Sequence, residues 1–272
     1  MTARDSRGAR HAIDKQRKAR GLSASTISNY LKPLSGTLAL AVRRGYIASN
    51  PYRNLTGDER PVKSDFEPAH EWTDDEIQSL LGAAQEIAEW PESQYDYTPL
   101  LRVAVYTGLR LGELLGLQWR DVDFEAGVLH VRRQYTVSGE LAPPKTRKGL
   151  RRVPLSPELV ASLRLLKVAS HFSQDDSPVF ASRTGSPLGH RNVQRRGFER
   201  ARDSANLPKT LSFHDLRHAF ASMAAHRGVP IGTLSEVLGH ADVGVTQRVY
   251  THLYDREASE EAFRAAMSGG AS

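Results

Sequence analysis

His214-Asp215-Leu216-Arg217-His218, followed by Leu238-Gly239-His240 and then by Tyr250, is the stretch on which the reading of this chain turns. It gathers a hydroxyl nucleophile, several proton-carrying imidazoles and a guanidinium into one short span. Arginine suits a phosphodiester, because its planar fork donates two parallel hydrogen bonds to phosphate oxygens and it stays charged at any working pH. A tyrosine hydroxyl attacking that phosphorus would keep the energy of the broken backbone bond in an ester instead of losing it to water. On a helix, His214 and Arg217 stand at i and i+3 and share a face, so a proton carrier and a phosphate clamp lie side by side. Such a pair alone is more often an ordinary surface contact, and its weight comes from its companions.

The bulk numbers set the frame. At 272 residues, with 39% hydrophobic and 25% charged residues, the chain suits a globular protein with one large domain and one small one. Lys and Arg number 37 against 31 Asp and Glu, a formal charge of +6, which favours a polyanionic partner. The basic residues also cluster. Lys145, Arg147, Lys148, Arg151 and Arg152 follow one another without an acid between them, and Arg191, Arg195, Arg196, Arg200 and Arg202 recur at near-helical steps, so both sets read as positive stripes. The first twenty residues, with Arg4, Arg7, Arg10, Lys15, Arg17, Lys18 and Arg20, read as a charged leader. The chain has no cysteine, which excludes disulfides, thiolate metal sites and cysteine nucleophiles. No apolar run approaches the ~20 residues of a membrane span and no signal peptide is visible, so a cytoplasmic address is expected, with no membrane partner.

Apolar residues at three- and four-residue steps from Ile27 to Val42 predict a helix, closed by Gly45 and Pro51. Residues 56–71 have little periodicity and two prolines, and read as a linker. A capping-box pattern, Thr73-Asp74-Asp75-Glu76, then opens a second domain. Helices are expected over residues 99–106, 111–117, 156–169, 192–205, 214–226, 231–238, 243–250 and 256–267. One strand is expected over residues 128–137, with a turn at Ser138-Gly139 and further extended residues to about Leu155. The fold class is mainly α with a small antiparallel β-sheet.

Arg110 lies in Thr107-Gly108-Leu109-Arg110-Leu111-Gly112-Glu113, where glycines allow close backbone approach and Glu113, one turn on, is placed to hold the guanidinium. With this element, Pro144-Lys145-Thr146 in a hairpin, His-x-x-Arg-His, Leu-Gly-His and the final Tyr, the sequence resembles the tyrosine recombinase (phage integrase) family from about Ser23 onward. The resemblance implies a site-specific DNA recombinase, independent of metal, ATP and cofactor, that cleaves and rejoins DNA through a 3′-phosphotyrosyl intermediate. It assigns Arg110 and Arg217 to the non-bridging oxygens of the scissile phosphate and Lys145 to protonation of the leaving 5′ oxygen. His214 would take or return the proton of the nucleophile, His240 would hydrogen-bond the phosphate, and Tyr250 would attack. A free phenol has a pKa of ~10, so a local positive field from the arginines and lysine is expected to activate it.

The same resemblance implies double-stranded DNA as partner, a homotetramer acting on two DNA sites, accessory DNA-bending proteins, and service to a mobile element by integration or excision. It divides the chain into a partial core-binding helical domain with its basic leader (1–55), a linker (56–71) and the catalytic domain (72–272). The first half of the usual core-binding domain is expected to be missing. Two alternatives stand beside this reading: a catalytically impaired or accessory DNA-binding protein of the same fold, and a hydrolase whose His214, His218 and His240 would ligate a metal. The second leaves Arg110, Lys145 and Tyr250 idle and sets a cation inside the metal-binding turn.

Overall fold

The structure, a computed structural model, describes residues 24–57, 59–60, 70–144, 147–240 and 242–254. The basic leader, most of the expected linker, Lys145 and the helix expected over residues 256–267 lie outside these. By compactness the chain divides into two units, Met1–Glu67 and Pro68–Ser272. In the first, helix α1 (Ala24–Arg43) carries Pro33 inside it. The buried Asn50 side chain donates to the Ser35 carbonyl at 3.1 Å and accepts the Tyr52 amide at 3.0 Å, which folds the following segment back onto the helix.

The second unit opens as its local chemistry dictates. Thr73 Oγ1 accepts the Glu76 amide at 3.1 Å while the Glu76 carboxylate accepts the Thr73 amide at 2.9 Å, so two orphan donors of helix α2 (Asp74–Ala88) are satisfied reciprocally. Asp74, Asp75 and Glu76 oppose the helix dipole in that first turn. Ile77, Leu80, Leu81, Ala84 and Ile87 then bury one face. Helix α3 (Thr98–Thr107) is buried on most of its surface and serves as the central post. It stops at Gly108, whose φ of 62° is left-handed and where an added Cβ would meet the Phe220 ring at 2.5 Å.

Helix α4 (Leu111–Leu115) follows at once and packs against the segment Gln134–Tyr135 almost backbone to backbone, because a Cβ at Gly116 would lie 2.9 Å from the Gln134 Cα. Strands β1 (Val122–Asp123), β2 (Val128–Val131) and β5 (Arg151–Pro154) form an antiparallel sheet in which Leu129 faces both Val122 and Val153. Strands β3 (Gln134–Tyr135) and β4 (Leu141–Ala142) form a separate two-stranded ladder around the Ser138-Gly139 turn. The single strand expected over residues 128–137 is therefore broken. Between β2 and β3, Arg132 and Arg133 both reach the carboxylate of Asp121, which is fully buried, and this pair pulls the chain out of the sheet.

Helix α5 (Pro157–Ala169) is capped by Ser156. The helix expected over residues 192–205 is a composite α6: α-helical at His190–Asn192, π-helical at Val193–Glu199 and α-helical again at Arg200–Ser204. Its arginines form only part of the expected stripe. Arg191, Arg195 and Arg196 are exposed, but Arg200 lies over the Trp90 ring at 5.1 Å, and the buried Arg202 bonds Asp203 and the carbonyls of Lys209 and Leu211.

Helices α7 (Asp215–His226), α8 (Ile231–Leu238) and α9 (Val243–Tyr250) complete the described chain. They share a small core of Ala221, Ala224, Leu234, Leu238 and Tyr250, next to the main core that spans the rest of the unit. Full burial of a side chain the size of Leu234 or Leu238 is worth ~1.5–3 kcal/mol, so a few residues hold this three-helix platform. No helix among the described residues is long and apolar enough to cross a membrane.

Candidate active site

Arg110 sits in extended conformation between α3 and α4, the joint created by the Gly108 stop. Glu113 fixes it twice: its carboxylate accepts the Arg110 backbone amide at 2.9 Å and the guanidinium at 2.9 Å. The Arg110 side chain stays 42% exposed while that of Glu113 is 5% exposed, so the anchor is inside and the cation faces outward. A second arginine, one of those read from the sequence as a positive stripe, completes the anchor. Arg151, with a side chain only 5% exposed, grips Glu113 through two bonds of 3.0 and 2.8 Å and donates from Nε to the Val237 carbonyl at 2.6 Å. Burial alone would raise the Glu113 pKa, but the bonds and charges of Arg151 and Arg110 outweigh it and hold the carboxylate below its ordinary range.

Arg217 enters from α7, 4% exposed, and donates to the carbonyls of Gly108 at 2.8 Å and Leu238 at 2.5 Å. One guanidinium thereby ties the end of α3 to the end of α8. Its burial, with Arg110 nearby, lowers its pKa to about 9, so it is still cationic at neutral pH. His240 follows α8 through Gly239, whose φ of 67° closes the helix, and the His240 amide donates back to the Ser235 carbonyl. That glycine is required by what lies under it: an added Cβ would meet Arg151 Cδ at 2.9 Å and the Lys148 carbonyl at 3.0 Å. His240 Nδ1 lies 2.7 Å from Oγ1 of the fully buried Thr246. Burial first, then Arg217, Arg110 and Arg151, lower the His240 pKa to about 4, and the ring is neutral at pH 7.

Tyr250 ends α9 and is 3% exposed, a member of the small core. Its hydroxyl lies 2.6 Å from His218 Nδ1. The positive field expected to activate the phenol does not dominate: burial raises its pKa to about 12, and Arg217 pulls only partly the other way. His214, the residue expected to exchange the tyrosyl proton, caps α7 and meets the His218 ring edge-on, with centroids 5.4 Å apart. Its ring reaches solvent, and its pKa is lowered by partial desolvation, then by His218 and Arg217.

Arg110, His214, Arg217, His240 and Tyr250 thus converge in the second unit, while Lys145 lies outside the described residues. His218, which sequence reading weighed only as a metal ligand, and Thr246 and Arg151, which it did not place at the site, adjoin these residues. Helical spacing marks the first two, since His218 follows His214 by four residues and Thr246 precedes Tyr250 by four. Nothing local marks Arg151, whose partner is 38 residues away. Among the described residues, no three His, Asp or Glu side chains are grouped as metal ligands would be.

Comparison with known proteins gives two family matches. The phage integrase family matches residues 71–257, and the phage integrase SAM-like domain matches residues 10–58. The chain is 30% identical to a tyrosine recombinase XerC-like protein of Caldanaerobacter subterraneus over 87% of its own length, and spans 64% of that relative. It is 34% identical to the tyrosine recombinase XerC of Xylella fastidiosa, over 86% of this chain and 72% of the relative. Among solved structures it is similar to the Tn1549 transposon integrase in complex with a circular intermediate DNA. That match has a TM-score of 0.73 and 25% identity, and covers 92% of this chain and 82% of the other.

Proposed function

The chain belongs to the phage integrase family, and on that premise we propose that it is a site-specific recombinase that cleaves and rejoins duplex DNA through a 3′-phosphotyrosyl ester on Tyr250. The observation that carries this reading is the placing of Tyr250, at the end of α9, within the field of Arg217, the cation that also neighbours Arg110 and His240.

Arg110 and Arg217 hold the non-bridging oxygens of the scissile phosphate. Charge accumulates on those oxygens in the pentacovalent transition state, and cations fixed in advance lower its energy without reorganising. The Glu113 anchor serves this role, because it orients Arg110 while leaving its guanidinium open to the substrate. With the Thr246 hydroxyl donating a hydrogen bond to Nδ1, neutral His240 would carry its proton on Nε2 and donate it in a hydrogen bond to a phosphate oxygen. As the tyrosyl O–P bond forms, the phenolic proton passes to a histidine of the site, the P–O5′ bond breaks, and Lys145 delivers a proton to the departing 5′ oxygen. The ester keeps the energy of the broken bond, so a 5′ hydroxyl restores the strand by attacking the same phosphorus with no ATP consumed.

The substrate in this reading is a pair of duplex sites bound by a homotetramer, with accessory DNA-bending proteins, and the service is integration or excision of a mobile element. Exposed Arg191 and Arg195 are suited to phosphate contacts. The test is a nicked suicide duplex that traps the covalent intermediate: wild type should yield an SDS-resistant adduct and Tyr250→Phe none. Persistence of the adduct in Tyr250→Phe would overturn the assignment.

A further inference from the structure

Resting on that reading of Tyr250 as the nucleophile, we propose that the imidazole of His218 takes the tyrosyl proton during attack and returns it when the strand is rejoined. His218 Nδ1 and the Tyr250 hydroxyl oxygen are 2.6 Å apart, within direct proton-transfer reach. The contact is built into the packing. His218 lies on α7 and Tyr250 ends α9, and both helices are clamped through Ala221, Ala224, Leu234 and Leu238, each no more than 9% exposed. This packing sets the phenol beside the imidazole, and the hydrogen bond of its hydroxyl is to His218.

The surroundings favour a proton acceptor. His218 is faced by His214, Asp215 and Arg217 of its own helix, by Tyr250 of α9 and by His240 beyond α8. Burial lowers its pKa first and Arg217 adds to this, while Asp215 opposes, so at neutral pH the ring is uncharged and has a free lone pair. The phenol, raised to about 12, enters the reaction as a hydroxyl and needs such a base. In cleavage the tyrosyl O–P bond forms, the P–O5′ bond breaks, the phenolic proton moves to Nδ1 of His218, and O5′ receives its proton from Lys145. In rejoining, the 5′ hydroxyl attacks the phosphorus and gives its proton back to Lys145, the P–O bond to tyrosine breaks, and the departing tyrosyl oxygen recovers its proton from His218. Asp215, on the same helix, stabilises the transient imidazolium.

The test is single-turnover cleavage by the full chain with His218→Ala and His218→Asn, on a nicked duplex bearing either the natural 5′ oxygen or a 5′-bridging sulfur. Sulfur leaves without protonation, so it relieves a missing acid but not a missing base. Asn retains a hydrogen-bonding partner for the phenol and cannot accept its proton. Both variants should cleave about 10²-fold more slowly on both substrates, with residual adduct still on Tyr250 and imidazole restoring part of the rate to His218→Ala. The acidic limb of the wild-type rate profile should vanish in His218→Asn. A His218→Asn rate within about threefold of wild type, or a defect erased by the sulfur substrate, would overturn the proposal while leaving Tyr250 as nucleophile. Failure of wild type to form its adduct on Tyr250 would instead overturn the parent reading.

Discussion

Replacing Arg151 with Met should destabilise the second unit severely, although the substitution lies in a strand that reads as part of a basic surface. Arg151 makes two bonds to Glu113, one to the Val237 carbonyl and one to the Gly149 carbonyl, with its side chain 5% exposed. Removing it leaves the Glu113 carboxylate, equally buried, with Arg110 as its remaining guanidinium. Breaking a buried ion pair from one side typically costs ~3–5 kcal/mol, and the surviving Arg110 places this case near the lower end, at about 3. With a urea m-value of about 2 kcal/mol/M, the midpoint should fall by about 1.5 M. Tryptophan fluorescence follows the right unit, because Trp72, Trp90 and Trp119 all lie in Pro68–Ser272. Adding Glu113→Gln should recover about 1–2 kcal/mol, since the stranded charge is then gone. The exposed neighbour Arg152→Met is the control, expected within about 0.5 kcal/mol of wild type. An Arg151→Met midpoint indistinguishable from that control would refute the claim that this residue anchors Glu113.

Gly239→Ala should combine a left-handed φ with a clash against Arg151 and the Lys148 carbonyl, lowering stability by about 1–3 kcal/mol and cleavage by more than stability explains; calorimetry beside a cleavage assay checks both. Thr246→Val removes the partner of His240 Nδ1 inside the core and should cost about 1 kcal/mol of stability while slowing cleavage about tenfold, with DNA affinity unchanged by titration. Stability should also fall with acid in two windows. The folded pKa values of His214, His218 and His240 are depressed below the unfolded ~6.5, so the unfolded chain binds protons first and stability declines from there toward pH 4. The Glu113 contribution, present above the unfolded carboxyl value, is lost at still lower pH as its depressed folded value is passed. Melting temperatures of wild type and His240→Asn across this range should diverge in the first window.

What sequence made legible was whatever chemistry is local. The Thr73 box fixed the start of α2, and periodicity located α8 and α9, because capping and amphipathic spacing act within a few residues. Arg110 and Glu113 were readable as a pair for the same reason, being one turn apart. The strand break at Arg132-Arg133 was not, since it depends on a carboxylate at Asp121 buried by distant chain. Arg151 and Arg202 looked like surface charges and are interior ones, because nothing in a basic run tells which guanidinium will find carbonyls and carboxylates inside. The difference between His214 and His218 met the same limit: two histidines one turn apart are alike in sequence, and the packing of α7 against α9 sets His218 on the phenol.

The most direct measurement is to digest the trapped protein–DNA adduct and locate the linked nucleotide by mass spectrometry. A 3′-phosphoryl nucleotide on the Tyr250 peptide is the expected result. Linkage to another side chain, or no linked nucleotide from protein shown to occupy its DNA site, would contradict it.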